Sequence, residues 1–233
     1  MPRTNSAAPK WRRRPEHRPQ QILQAAVEVF GECGLANARL QDIATRAGVS
    51  KGTIYLYFPN KEALFREMIR QTAVAGIERA EQNPPKGPPR EQLLAFMRGY
   101  WEFVRSPIFS TIYRLVLGEL HQFPDLAEFY AHEVVARGLR LLSGIIQRGI
   151  DDGEFRQVEP LVAARMLVAL IVMNGIWRDE HTGVPLLCNK SDAEVFRELA
   201  QFYLHSIAPD GGSCSQADGA PPDPISFFPS LND

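Results

Sequence analysis

Apolar residues recur at helical spacing along almost the whole chain, and this pattern limits the possible fold more than any other feature. In the first such segment, one stripe with the i, i+3, i+4 spacing of an amphipathic helix is formed by Ile22, Leu23, Ala26, Val27 and Phe30. No convincing alternating strand and no internal repeat interrupts the series. The chain is therefore predicted to be all-α, with about nine helices at 20–33, 40–47, 51–58, 60–82, 90–105, 107–121, 124–151, 160–178 and 192–207.

Prolines divide the chain into two helical parts. The segment 83–90 contains four prolines, and proline ends a helix because it lacks an amide donor and clashes with the preceding turn. The two ends lack helical periodicity and are predicted to be a flexible basic arm and a disordered tail. The predicted organisation is an arm at 1–19, a first domain at 20–66 whose last helix continues to about 82, a second domain at 83–208 and a tail at 209–233.

Charge is distributed unevenly, although the net charge is only −1. Residues 1–61 carry 10 Lys and Arg against 4 Asp and Glu, whereas residues 62–233 carry 16 against 23. A basic head on an acidic body is typical of a protein whose head alone meets a polyanion. A solvated basic tail is the simpler alternative, so charge suggests a partner without identifying one.

The stretch LQDIATRAGVSKGTIYLYFPNKEALF, residues 40–65, predicts two short helices in a helix-turn-helix. Ala44 is small enough for the helices to cross closely, Gly48 supplies a left-handed cap, and Ser50 caps the next helix. The residues expected to pack beneath that helix are Val49, Ile54 and Phe58. Those left for a partner are Lys51, Gly52, Thr53, Tyr55 and Tyr57. Lysine and hydroxyl groups suit phosphate oxygens, and the DNA major groove admits a helix.

This stretch closely resembles the DNA-binding domain of the TetR family of bacterial transcriptional regulators. The resemblance lies in the pattern A-G-V-S-K-G-T-I-Y-x-Y-F-x-N-K-E-x-L and covers about residues 20–66. It implies a three-helix DNA-binding domain joined by a long helix to a ligand-binding and dimerisation bundle. It also implies a homodimeric repressor that a small hydrophobic ligand releases from a palindromic DNA operator.

The resemblance assigns roles on DNA to individual positions. Positions that approach bases in the family correspond here to Gln41, Lys51, Gly52 and Tyr55. Positions that contact phosphates correspond to Thr53, Tyr57 and Lys61. Arg39 stands where the family usually has a Ser or Thr cap for the second helix, so either Asn37 caps that helix or Arg39 contacts the DNA backbone. Arg18 and the basic segment 10–14 could enter a minor groove, although a solvated tail is the more economical interpretation.

The last two predicted helices suit a dimer interface. The segment LVAARMLVALIVMNGIW, residues 161–177, is apolar nearly all round, so both of its faces are expected to be covered. The family pairs its last two helices with those of a partner, and a core within one chain is the alternative. Family ligand cavities are surrounded by helices that here carry Tyr100, Phe103, Tyr113, Met166, Met173, Asn174 and Trp177. Aromatics and methionines at this spacing also suit a plain core.

Other classes of protein find little support. The histidines form no HExxH, neither GxSxG nor GxxxxGK[ST] occurs, and the three cysteines include no CxxC pair. We therefore predict no enzymatic activity, cofactor or metal. A nonspecific architectural DNA-binding protein would share the basic head but would not need the large apolar second part. Arg165 and Asn174 interrupt the longest apolar stretch, so we expect no membrane span and a cytoplasmic protein.

Overall fold

The computed structural model describes residues 18–178 and 189–209, and within them every regular element is helical. The helices are α1 Arg18–Asn37, α2 Leu40–Arg46, α3 Lys51–Tyr57, α4 Lys61–Ile69, α5 Ala75–Gln82, α6 Pro89–Val104, α7 Pro107–Gly118, α8 Pro124–Tyr130, α9 Arg137–Asp151, α10 Pro160–Trp177 and α11 Asp192–Ser206. π-helical turns at Arg70–Val74 and Ala131–Ala136 join α4 to α5 and α8 to α9, so the described residues contain nine continuous helices, as predicted.

The boundaries of two helices differ from the prediction by more than one residue. α1 begins at Arg18, inside the predicted arm, and the rest of that arm lies outside the described residues. α1 also continues to Asn37, past the predicted end at residue 33, although Gly34 breaks the regular helix there with φ 78° and ψ 170°. The helix predicted to reach residue 121 ends at Gly118, and a 3₁₀ turn, Leu120–Gln122, follows. Glycine has a low helix propensity, which explains the early end. The predicted tail also lies outside the described residues, apart from Pro209.

Side-chain caps begin several helices where the sequence places Ser, Asn or Glu ahead of them. Ser50 Oγ accepts a hydrogen bond from the Thr53 amide at 3.1 Å, and Asn60 Oδ1 accepts one from the Ala63 amide at 2.7 Å. Ser191 opens α11 with a full capping box, in which the Glu194 carboxylate accepts from the Ser191 amide at 2.7 Å. These local signals explain why the helix starts were predictable.

The helices pack as two connected groups. α2 packs on both α1 and α3, and α4 packs on α1 before continuing through the π-helical turn into α5. In the second group α6, α9 and α10 pack together, and α11 lies on α6 and α10. α7 contacts α1 and α8 contacts α4, so the second group touches the first along more than the connecting helix.

Two ion-pair clusters connect helices that are distant in the sequence. Arg137 of α9 donates two hydrogen bonds to the Glu81 carboxylate of α5, at 2.6 and 2.9 Å. Asp192, at the start of α11, accepts from Arg105 after α6 at 3.1 Å and from Arg178 after α10 at 2.9 Å. Burial raises the pKa of the Asp192 carboxyl, but the hydrogen bonds from Arg178 and Arg105 outweigh it, so its pKa lies below the ordinary value.

One face of α10 is not covered by any of the residues of this chain that the structure describes. Its inner face packs against α6 and α9, whereas Leu161, Val162 and Met166 on the outer face are exposed. Among the described residues α10 is the one helix long and apolar enough to cross a membrane by length and composition. Its packing on α6 and α9 makes it a core helix of the second group.

Candidate nucleic-acid interface and ligand pocket

α2 and α3 form the predicted helix-turn-helix. Ala44 is completely buried where the helices cross, and the turn follows at Gly48, whose φ of 65° is the left-handed conformation that favours glycine. The Val49 amide donates to the Ala44 carbonyl at 2.9 Å and closes the turn. Ile54 and Phe58 are buried beneath α3 as predicted. The opposite face of this short helix is therefore free of contacts with the rest of its own domain.

Most of the residues expected to meet a partner are exposed along α3, and Lys51 is exposed at its first turn. Lys51 and Gly52 are exposed, and Tyr55 and Tyr57 are exposed over 49% and 39% of their surface. Thr53 is half-buried, and its hydroxyl lies 2.8 Å from the Ser50 hydroxyl. Its side chain therefore already has a partner within the turn and also holds the start of α3 in place.

Lys61 is not a free surface cation. Its ammonium donates a hydrogen bond to the Ala36 carbonyl at 2.6 Å and lies 5.8 Å from the centre of the Phe123 ring. An ammonium has three donors, so the contact with Ala36 leaves capacity for a phosphate oxygen. Lys61 thus lies where the end of α1, the start of α4 and the segment before α8 meet.

The start of α2 carries the predicted contact residue Gln41 and lacks the cap that Asn37 could have provided. Gln41 is exposed near the start of the helix. Asn37 does not cap α2, because its side-chain amide donates to the Cys33 carbonyl at 3.1 Å and so closes α1 instead. Arg39 occupies the N-cap position without a side-chain capping bond and is exposed, which leaves its guanidinium free to meet a partner.

A joint between the two helix groups lies beside this surface, and the sequence pattern did not indicate it. The Glu119 carboxylate accepts from the Ala36 amide at 2.6 Å, and the Arg114 guanidinium donates to the Gly31 carbonyl at 3.3 Å. Arg66 of α4 donates to the Asp125 carbonyl of α8 at 2.9 Å. We call these three contacts the α1–α7–α8 joint. A surface cleft of about 490 Å³, lined partly by Asn60 and Arg66, opens next to it.

Aromatic rings line the interior of the second group between α6, α7 and α8. The Phe103 and Phe109 ring centres lie 5.3 Å apart edge to face, and Tyr113 stacks on Phe109 at 5.8 Å. On α6, the ring of Tyr100 lies 5.8 Å from that of Phe96. Besides burial, the Tyr113 phenol also contributes to the raised pKa of Tyr100, so three of the predicted ligand residues, Tyr100, Phe103 and Tyr113, lie in the same aromatic region of the second group.

Two tyrosines of this region, Tyr100 on α6 and Tyr130 on α8, have desolvated phenols. Burial raises the pKa of Tyr100, with a smaller contribution from Tyr130, and raises the pKa of Tyr130 to about 12. Tyr100, Tyr113 and Tyr130 are nevertheless each only half-buried as whole residues. A phenol at a half-buried position can donate a hydrogen bond to a bound molecule while its ring supplies apolar contact.

The remaining predicted ligand residues lie on α10, and most of them are on a different surface from the aromatic rings of α6 and α7. Met166, Met173 and Trp177 are on the exposed outer face of the helix. A side chain on this outer face is separated from the aromatic region by its own helix, so the ligand role of these three residues stays a prediction that the described residues do not support. Asn174 is half-buried, and its side-chain amide donates to the Leu170 carbonyl one turn earlier at 2.9 Å.

Comparison with known proteins agrees with this architecture. Residues 22–68 match the family model of bacterial regulatory proteins of the tetR family, and residues 91–205 match the C-terminal domain of AefR-like transcriptional repressors. The chain is 31% identical over 157 residues to the fatty acid metabolism regulator protein of Bacillus subtilis, covering 67% of this chain and 79% of that protein. The chain belongs to the TetR family. It is thus a DNA-binding transcriptional regulator of a non-enzymatic family.

Two solved structures of transcriptional regulators resemble the chain along most of its length. One is the transcriptional regulator FadR of Bacillus subtilis in complex with stearoyl-CoA, with 28% identity, a TM-score of 0.61 and coverage of 77% of this chain and 96% of that one. The other is a transcriptional regulator from Saccharomonospora viridis in complex with choline, with 25% identity, a TM-score of 0.66 and coverage of 83% and 98%. Relatives of this fold therefore bind chemically different small molecules.

Proposed function

We propose that the protein is a homodimeric repressor that binds a palindromic DNA operator and leaves it when a small, largely apolar ligand binds its second domain. The observation that carries the DNA-binding half is the uncovered face of α3. Lys51, Gly52 and Tyr55 would approach base edges there together with Gln41 of α2. Phosphate contacts would come from Thr53, Tyr57 and Lys61.

The dimer would form through the outer faces of α10 and α11. α10 exposes an apolar stripe that includes Met166, Met173 and Trp177, and α11 exposes Phe202 over 69% of its surface. A large exposed apolar face favours association, since covering it removes apolar area from water. A twofold dimer would present two copies of α3, and their centres should then lie about 34–36 Å apart on one side of the duplex, or a multiple of that distance.

The ligand would bind among the aromatic rings of α6 and α7. Tyr100 and Tyr113 would supply phenol groups and apolar surface, and Phe103 would supply apolar surface alone. An acyl chain suits such walls, and one similar structure holds stearoyl-CoA. Asn174, on the half-buried side of α10, would be a polar contact at the edge of the pocket.

The α1–α7–α8 joint offers a route from the pocket to DNA. Tyr113 and Arg114 are neighbours on α7, and Arg114 contacts α1 directly. A ligand that shifts α7 would therefore move α1 and, with it, the spacing of the two α3 helices. Linkage requires reciprocity, so operator DNA must weaken ligand binding by the same factor, typically about 5–150-fold.

The test begins with selection of duplexes from a random library by the purified protein. Fluorescence anisotropy then measures the affinity for the selected duplex while stearoyl-CoA, stearate or choline is titrated in. We expect a near-palindrome and release by at least one acyl probe. Tyr113→Ala should abolish release without changing operator affinity, whereas Leu117→Ala, an exposed position on the same helix, should leave both unchanged.

Each part of the proposal has its own contrary result. Failure to enrich any sequence would leave a nonspecific architectural DNA-binding protein. A probe that binds the second domain, seen by calorimetry, yet leaves operator affinity unchanged would contradict ligand control. Enrichment of a sequence without twofold symmetry would contradict the dimer.

A further inference from the structure

The most exposed apolar side chain on α3 has no role so far. Leu56 is exposed over 83% of its surface, more than the neighbouring Tyr55 at 49%. Its side chain carries no polar atom, so it can form a hydrogen bond with neither a phosphate nor a base. Within the described residues it makes no contribution to the core beneath α3.

The helical geometry places Leu56 at the centre of the outer face. Successive residues of a helix are rotated by about 100°, so Leu56 points directly away from the midpoint between Ile54 and Phe58, both buried. Gly52, one turn earlier, occupies the same face and has no side chain. Lys51, exposed beside it, supplies the positive charge that a DNA surface attracts. A surface that approaches α3 closely therefore meets Leu56 first.

The chemistry of the major groove offers one apolar partner for such a side chain. Among the base edges, only thymine presents a methyl group, and the remaining groups are hydrogen-bond donors and acceptors that lose water when a leucine covers them. We propose that Leu56 reads thymine by packing on its C5 methyl group in each half-site of the operator. This inference rests on the proposed operator binding and assigns one specificity-determining residue within it.

The decisive experiment removes that methyl group and nothing else. Each symmetry-related pair of thymines in the selected duplex is replaced by deoxyuridine, one pair at a time, and the affinity is measured by fluorescence anisotropy. For the unaltered protein we expect one pair whose replacement weakens binding about 15-fold, as burial of one methyl group contributes about fourfold in each half-site. The other pairs should have little effect.

Matched variants then assign the effect to Leu56. Leu56→Ala should bind the thymine duplex more weakly, and its affinity should no longer change when that pair becomes deoxyuridine. Leu117→Ala removes another exposed leucine, on α7, and should respond to deoxyuridine as the unaltered protein does. Because Leu56 is exposed, its replacement should leave the melting temperature unchanged, which circular dichroism checks.

The outcomes separate this inference from the proposed function. If no sequence is enriched, operator binding fails and the assignment of Leu56 fails with it. If a sequence is enriched but no thymine pair is sensitive to deoxyuridine, or if Leu56→Ala keeps the sensitivity, the assignment alone is overturned. A selected duplex in which no thymine is required has the same meaning.

Discussion

Replacement of Phe202 by glutamate tests the proposed dimer most directly, because the residue is exposed in the single chain. Phenylalanine can bury roughly 200 Å², and Phe202 exposes 69% of its surface, so an interface would cover about 140 Å² on each protomer. At about 25 cal/mol per Å², this burial contributes about 3.5 kcal/mol per protomer. The twofold axis places the residue in the interface twice, which doubles the contribution.

The expected loss of dimer stability is large even when incomplete burial and side-chain ordering are allowed for. If incomplete burial and side-chain ordering halve the total, Phe202→Glu still costs about 3.5 kcal/mol, or roughly 300-fold in the dimer dissociation constant. The carboxylate adds a further cost wherever the interface excludes water. Protein that is dimeric at micromolar concentration should therefore sediment as a monomer after this single change.

Sedimentation velocity over a series of concentrations measures the effect. Leu117→Glu is the matched control, since Leu117 is exposed over 65% of its surface but lies on α7, outside the proposed interface. We expect the control to remain dimeric and both variants to keep the helical content of the unaltered protein. A folded Phe202→Glu protein whose dissociation constant stays within about threefold of the unaltered value would refute this interface.

Three further perturbations test the DNA surface, the joint and the pairing of α11. Lys61→Ala should weaken binding to specific and random duplexes alike and lower the salt dependence of binding. Lys51→Ala should also change sequence preference. If Lys61→Ala binds DNA as tightly as the unaltered protein at several salt concentrations, the phosphate role is rejected. Gly34→Ala should lower the free energy of unfolding in urea by about 1–3 kcal/mol. Gly34 has φ 78° and ψ 170°, which strains any residue with a Cβ, and the added Cβ would clash with the Glu119 carboxylate of the joint. Unchanged stability would contradict this account of the joint. Asp192→Asn should lower the urea midpoint at pH 7, and the difference from the unaltered protein should vanish at about pH 2. A carboxyl whose pKa is lowered by folding stabilises the fold at pH values above its ordinary pKa of 3.8, and this stabilisation is lost as the carboxyl is protonated. A pH-independent difference would exclude the ion pair as its cause.

The sequence by itself determined the features that depend on neighbours three or four residues apart. Helix starts at Ser50, Asn60 and Ser191, the left-handed turn at Gly48 and the burial of Ile54 beneath α3 follow from local capping and periodicity. The family resemblance supplied the roles on DNA, which no local pattern could have assigned to single residues.

Only the tertiary structure decided which of several possible partners each side chain takes. Asn37 turned out to close α1, and Lys61 contacts the end of the same helix. The periodicity of α10, apolar nearly all round, could not indicate which face would be left exposed; the packing of α6 and α9 on the other side decides it. The bond between Ala36 and Glu119 spans 83 residues. Such a contact depends on how whole helices cross, and helix crossing is set by the shape of both packed surfaces rather than by the residues next to either partner.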